Sequence, residues 1–170
     1  MSEQNSTALR TAPGASIATS EEVDGLEFLN RIKDGRWPPP AMAVLLGFDI
    51  VETERGRVVF AAIPTAAHYN PAGAVHGGFA ATLLDSCMTC AVQSTLKAGL
   101  SCTTLDLNIH YTRGASDKTG VLRAEGKVVH VGRQIATAEG RVTDPQGRVI
   151  AHATTSCLIF PIRPPSASSA

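Results

Sequence analysis

The segment from His76 to Leu96 constrains the fold of this chain more than any other. It consists almost entirely of small and apolar residues, begins with a Gly-Gly pair and contains one carboxylate, Asp85. A helix that is apolar on nearly every face must be buried on nearly every face. A buried carboxylate is costly unless it is paired or hydrogen-bonded. We therefore predict a central, buried helix in which Asp85 has a functional role.

The composition limits the class of protein. The chain of 170 residues is long enough for one well-filled core, so we expect a single domain over residues 19–162. Disordered or loose tails are predicted at residues 1–18 and 163–170 because these are rich in Ser, Thr, Ala, Gly and Pro. Lys and Arg number 15, as do Asp and Glu, so no basic excess indicates nucleic acid or an anionic membrane as a partner.

The cysteines and histidines indicate no metal site. Most of the four cysteines lie in apolar runs without neighbouring acidic or His ligands, so we expect buried thiols in a reducing cytoplasm: Cys87, Cys90, Cys102 and Cys157. The five histidines do not form a spaced ligand set, and no phosphate-binding loop or dinucleotide motif is present. We expect no metal, no cofactor, no secretory signal and no membrane-spanning helix.

The residues before the central segment predict two short helices and two short strands. A capping-box pattern at residues 19–22 opens the first helix, which Gly35 ends. The second helix covers Ala41–Leu46, and Gly47 is placed to end it. The two strands are predicted at residues 48–52 and 57–63.

After Gly99 the pattern changes to the period of two that is typical of strands. Four strands are predicted, at residues 103–112, 121–130, 133–143 and 149–160. In the first of them Leu105, Leu107 and Ile109 share one face, and Thr104 falls on the other. This order of elements predicts an α+β protein, in which a meandering antiparallel sheet curls around the central helix.

Six residues in and before the central helix form the pattern Asn70-x-x-Gly73-x-x-His76-Gly77-Gly78-x6-Asp85. It closely resembles the signature of the hotdog-fold acyl-CoA thioesterases of the PaaI (phenylacetyl-CoA thioesterase-like) group, and the resemblance covers residues 40–160. The resemblance implies a hotdog fold and hydrolysis of an acyl-CoA to a free carboxylic acid and CoA. The catalytic residues that it implies are Asn70, His76, Gly77 and Asp85, with Thr103 as an assisting hydroxyl.

The chemistry of thioester hydrolysis leads to the same residues. Negative charge develops on the carbonyl oxygen, and the first N–H groups of a helix are unpaired donors at the positive end of its dipole. The N–H of Gly77 is the candidate oxyanion donor, and Asp85 is the candidate base or nucleophile.

The spacing of these two residues predicts an oligomer. Gly77 and Asp85 are eight positions apart, which is roughly 12 Å along a helix. One helix cannot present both residues to one carbonyl, so Asp85 has to come from a second subunit. We expect a homodimer with two composite sites, assembled further into a homotetramer as a dimer of dimers.

Further residues are candidates for holding the substrate. Gly78, Arg113, Gly132 and Arg133 are placed where they could contact CoA, although turn residues facing solvent would give the same pattern. Among the residues that could set the depth of the acyl pocket are Leu45, Leu46, Phe79, Leu83 and Met88. Two alternative functions stay open at this point: a hotdog acyl-thioester dehydratase or hydratase, and a non-catalytic acyl-CoA-binding or sensing protein.

Overall fold

The structure is a computed structural model that describes residues 23–162. Its elements are α1 (Gly25–Lys33), α2 (Ala41–Leu46), β1 (Phe48–Glu54), β2 (Arg57–Ala62), α3 (Gly77–Gln93), β3 (Leu100–Tyr111), β4 (Leu122–Val131), β5 (Ile135–Thr143) and β6 (Val149–Pro161). A short 3₁₀ helix lies at Ala66–His68, in the loop before α3. The predicted tails and the capping pattern at residues 19–22 lie outside the described residues.

The two short helices have local start and stop signals. Helix α1 begins after Asp24, whose side chain accepts a hydrogen bond of 2.9 Å from the N–H of Glu27. Helix α2 has the predicted bounds, and Gly47 ends it in the left-handed conformation with a φ of 65°. Residues without a Cβ adopt this conformation at little cost, which explains why the helix ends there.

The sheet is antiparallel and has the order β1-β2-β4-β5-β6-β3. The predicted curled sheet around one helix is therefore confirmed, but the simple meander is wrong in one respect. Strand β3 does not pair with β4, which follows it in the chain, but crosses the sheet to pair with β6. This crossover leaves β1 and β3 as the two edge strands, and β3 is 12 residues long.

Helix α3 lies directly against the sheet backbone at a pair of glycines. Gly126 of β4 and Gly140 of β5 are register partners. A Cβ at Gly126 would lie 2.3 Å from the carbonyl oxygen of Cys87, and one at Gly140 would lie 2.8 Å from Cγ of Met88. Since such distances are impossible for real Cβ atoms, the two glycines permit the helix to approach the sheet. The facing side chains of α3, Cys87 and Met88, are fully buried.

A β-bulge interrupts the alternation of β3. Thr104 pairs with Cys157 and Asp106 pairs with Ser156, so Leu105 between them has no partner in β6. Leu105 is 56% exposed, although the period of two placed it on the same face as the half-buried Leu107. Because of this extra residue, even-numbered side chains before the bulge point to the same face of the sheet as odd-numbered side chains after it.

The outer face of β1, β2 and β4 carries a cluster of ion pairs. Arg57 contacts Glu52 at 2.7 Å and Glu125 at 2.8 Å, and Arg123 also pairs with Glu52. The hydrogen bonds from Arg57 and Arg123 lower the pKa of Glu52. The apolar residues of the core therefore lie on the opposite, concave face, around α3.

The close contact at Gly126 gives a prediction for stability. We expect Gly126→Ala to lower the free energy of unfolding by about 1–3 kcal/mol or more, because the new methyl group collides with backbone atoms that cannot rotate away. Urea unfolding followed by circular dichroism measures this change. Gly114→Ala is the matched control, since a Cβ there meets no atom within 4 Å. Equal stability of the two variants would contradict the close approach.

Candidate active site

His76 caps the N-terminus of α3. Its Nδ1 accepts a hydrogen bond of 2.8 Å from the N–H of Gly78. An acceptor Nδ1 means that the proton of the neutral imidazole is on Nε2. A Cβ at Gly78 would lie 2.9 Å from Nδ1, so glycine permits this short contact. This hydrogen bond uses the N–H of Gly78, a residue that the sequence predicts to contact the substrate.

The N–H of Gly77 is the free donor at this helix end. It makes no hydrogen bond to any of the described residues, whereas its neighbour Gly78 is capped by His76. The hydroxyl of Tyr111 donates a 3.0 Å hydrogen bond to the carbonyl oxygen of Gly77, and its ring lies over the helix start. A Cβ at Gly77 would lie 3.0 Å from this ring. Tyr111 was missed as a site residue, and no motif or spacing points to it.

The side-chain oxygen of Asn70 is held by hydrogen bonds from the loop before α3. Its Oδ1 accepts hydrogen bonds from the N–H groups of Ala72 at 3.0 Å and Ala74 at 3.2 Å. Because two donors meet this atom, it must be the oxygen, and the amide orientation is determined. The Nδ2 group is then left as a donor that bonds to none of the described residues. Asn70 therefore both shapes the loop and offers an N–H group.

These donors share one pocket. We call it the donor pocket; its polar lining includes Asn70, His76, Gly77, Tyr111 and Arg113. It can offer N–H groups to a carbonyl oxygen, which is what an oxyanion site requires. It contains no carboxylate among its lining residues.

Asp85 is held by a chain of two threonine hydroxyls. Thr104 donates a hydrogen bond of 2.6 Å to Oδ1 of Asp85. The hydroxyls of Thr89 and Thr104 are 2.7 Å apart. Since Thr104 has given its single proton to the carboxylate, the hydroxyl of Thr89 donates either to Thr104 or, over 3.4 Å, to Oδ1 of Asp85. The second oxygen of Asp85 bonds to no described residue and is left for water or substrate.

The hydroxyl that contacts Asp85 is that of Thr104, in place of the predicted Thr103. The bulge at Leu105 explains the difference, because it turns Thr104 towards α3 and leaves Thr103 exposed. Sequence alternation alone could not reveal an extra residue in the strand. Thr103 nevertheless lines the same pocket as Asp85.

We call this second pocket the carboxylate pocket. Its polar lining includes Asp85, Thr103 and Thr104. Its other walls are mainly apolar and include Met42, Phe48, Phe60, Cys90 and Cys102. The residues predicted to shape an acyl pocket lie elsewhere: for example, Leu83 and Met88 are fully buried in the core and Leu45 is 64% exposed.

The two pockets have no lining residue in common. The structure brings Asn70, His76 and Gly77 together and places Asp85 apart from them, further along α3. The described chain therefore carries two separate pockets that differ in chemistry.

The two arginines that the sequence predicts to contact CoA lie far from each other. Arg113 lines the donor pocket, beside Leu122 at the start of β4. Arg133 is exposed and lies in the turn after the other end of β4. In this turn the N–H of Gly132 donates to the carbonyl oxygen of Ile135 at 2.8 Å. One protomer cannot bring Arg113 and Arg133 to the same phosphate, because a strand of 10 residues lies between them.

The cysteines are free thiols. Burial raises the pKa of Cys87 well above its usual value and that of Cys90 to about 12. Within residues 23–162, no group of three or more His, Cys, Asp or Glu side chains is placed to hold a metal ion. None of the helices in this range is long and apolar enough to cross a membrane.

The sequence and the fold match known thioesterases. A family model of the thioesterase superfamily matches residues 72–151, which include the start of α3 and Asp85. The chain is similar to a candidate thioesterase of Ralstonia eutropha JMP134, described as a phenylacetic acid degradation-related protein. That structure gives a TM-score of 0.70 and 32% identity, and the match covers 77% of this chain and 98% of that one.

Two further proteins are similar. A Streptococcus mutans UA159 protein, whose structure is bound to acetyl-CoA, gives a TM-score of 0.62 and 29% identity over 69% of this chain and 91% of that chain. A candidate esterase of Halobacterium salinarum is 43% identical over 75 residues, which are 43% of this chain and 48% of that protein. The chain thus spans about half the length of this last relative. The chain belongs to the thioesterase superfamily and has a PaaI-like hotdog fold, which places it among the thioester hydrolases.

The position of Thr104 gives a prediction for activity. We expect Thr104→Val to lower kcat by about 10- to 100-fold, the effect of losing one hydrogen bond to a charged group. Thr103→Val removes the neighbouring hydroxyl and should have a smaller effect. Steady-state kinetics of thioester hydrolysis measures both variants. A larger loss in Thr103→Val than in Thr104→Val would contradict the role of Thr104.

Proposed function

We propose that the protein hydrolyses an acyl-CoA thioester to a free carboxylic acid and CoA, at active sites that each combine residues of two protomers. The observation that carries this proposal is the division of the site into a donor pocket and a carboxylate pocket. The donor pocket has the groups that stabilise an oxyanion but no base. The carboxylate pocket has a carboxylate with one free oxygen and an apolar lining that suits an acyl group.

The mechanism follows from these groups. The thioester carbonyl oxygen accepts hydrogen bonds from the N–H of Gly77 and from Nδ2 of Asn70, which stabilises the negative charge of the tetrahedral intermediate. Asp85 of the partner subunit either takes a proton from the attacking water or attacks the carbonyl carbon itself and forms a mixed anhydride. In the first route the tetrahedral intermediate collapses, the C–S bond breaks, and the CoA thiolate leaves and takes up the proton held by Asp85. In the second route the C–S bond breaks as the anhydride forms, and water then hydrolyses the anhydride, which releases the carboxylic acid and regenerates Asp85. His76 keeps the amide of Gly77 in position by capping the helix.

The acyl carrier is CoA in this proposal. The similar Streptococcus mutans protein is bound to acetyl-CoA. Arg113 supplies a positive charge at the donor pocket, where it can contact a phosphate of CoA. Gly132 and Arg133 lie towards the opposite end of the same protomer, so any contact of theirs with CoA is with the nucleotide bound at the partner's donor pocket.

The dimer forms through edge strand β3 in this proposal. Unpaired edge strands readily pair with a second copy. Leu105 and Tyr111 on this strand are 56% and 53% exposed, so a partner strand that pairs with β3 could cover them. We further propose a tetramer built from two dimers, and a location in the cytoplasm.

A CoA-release assay tests the function. We expect turnover of at least one acyl-CoA in a panel of short, medium, long and aromatic acyl groups. Asp85→Asn should lower kcat by two or more orders of magnitude, because the amide can neither accept the proton of water nor attack the carbonyl.

The matched control is Glu139→Gln, the same carboxylate-to-amide change at an exposed position of β5. It should retain wild-type turnover. Tight binding of acyl-CoA without turnover of any of them would contradict hydrolysis and favour a sensing protein. Unchanged turnover in Asp85→Asn would contradict the assignment of the carboxylate.

A further inference from the structure

The carboxylate pocket has a second cavity behind it. We call this the rear cavity; it lies between α1, α2 and β1 and is lined in part by Ile32, Lys33, Ala43, Asp49 and Ile50. The two cavities share three lining residues, which are Pro40, Phe48 and Phe60. These three residues therefore form the wall between them.

The two aromatic residues of this wall touch each other edge to face. The ring centroids of Phe48 and Phe60 are 5.5 Å apart, with an angle of 71° between the ring planes. Both residues are buried. Phe48 is the first residue of β1, directly after the end of α2 at Gly47, and Phe60 lies on β2. Because β1 and β2 are hydrogen-bonded to each other, the two rings are held in fixed positions between the cavities.

Phe48 and Phe60 line the same pocket as Asp85. If Asp85 acts on the thioester carbonyl, the acyl chain starts beside this carboxylate and continues into the apolar part of the same pocket. Phe48 and Phe60 line that part, and they also line the rear cavity. A chain that continues past the rings would enter the rear cavity, where Ile32, Ala43 and Ile50 offer further apolar contacts.

We propose that the Phe48–Phe60 pair sets the upper limit of acyl length, so that the enzyme prefers compact acyl groups, aromatic or short, over long chains. This inference rests on the proposed function, because it assigns the acyl group to the carboxylate pocket. The pair acts as a specificity determinant and takes no part in the bond-making steps.

Replacement of either ring by a smaller side chain should join the two cavities. We expect Phe48→Leu and Phe60→Leu to shift the optimum of kcat/KM towards longer chains in a series of straight-chain acyl-CoAs. Each methylene group that newly reaches the rear cavity should raise kcat/KM by about fourfold, the factor that corresponds to burial of one CH₂.

Two controls separate this effect from general loosening of the core. Val142→Ala removes a similar amount of buried apolar volume at a position of β5 that lines neither cavity. It should leave the length preference unchanged. Ala43→Leu fills the rear cavity without reaching the carboxylate pocket. Added to Phe60→Leu it should restore the wild-type preference.

The decisive experiment measures the length profile twice, by turnover of acyl-CoAs and by calorimetric binding of their non-hydrolysable thioether analogues. A shift in both Phe variants that Ala43→Leu reverses supports the proposal. An unshifted profile in folded Phe variants, or an equal shift in Val142→Ala, overturns it. A shifted binding profile without any turnover in the wild-type protein would refute hydrolysis but keep the role of the wall, so the two failures are distinguishable.

Discussion

The contact between α3 and the sheet backbone at Gly126 is the constraint on which the rest of the structure depends. Because β4 has no side chain there, the helix lies close enough to the sheet for Cys87 and Met88 to be fully buried. The close packing of α3 on the sheet also positions Asp85, two residues before Cys87, so that it contacts Thr104 of β3. It also fixes the start of the helix, where the amide of Gly77 opens into the donor pocket. One packing contact thereby places both pockets.

The spacing of Gly77 and Asp85 along α3 keeps the donor pocket and the carboxylate pocket apart. The helix is rigid, and Gly77 and Asp85 are roughly 12 Å apart along it. They cannot meet in one protomer, whatever the surrounding loops do. In the two-fold dimer that we propose, the donor pocket of one protomer faces the carboxylate pocket of the other, which removes this separation. The proposed pairing also gives Asp85 a function in a helix that would pack better with an apolar residue at that position.

The sequence alone predicted those elements whose bounds are decided by residues close together in the chain. The bounds of α2 and the role of Gly47 follow from helix-stop chemistry, and the central helix follows from its apolar composition. Sequence alone did not predict that β3 pairs with β6, because a period of two identifies a strand and not its neighbours. The family resemblance implied Thr103 as the assisting hydroxyl, whereas Thr104 is the strand hydroxyl in contact with Asp85, because a bulge at Leu105 that has no sequence signal turns it towards α3. Tyr111 meets Gly77 only through the fold.

The most direct test of the composite site mixes two inactive variants. Asp85→Asn and Asn70→Ala subunits, each inactive alone, are combined, and the heterodimer is purified with two different affinity tags. One of its two sites would contain intact Asn70 from one subunit and intact Asp85 from the other, so we predict about half of the wild-type turnover per dimer. A purified heterodimer as inactive as its parents would contradict an active site shared between two protomers.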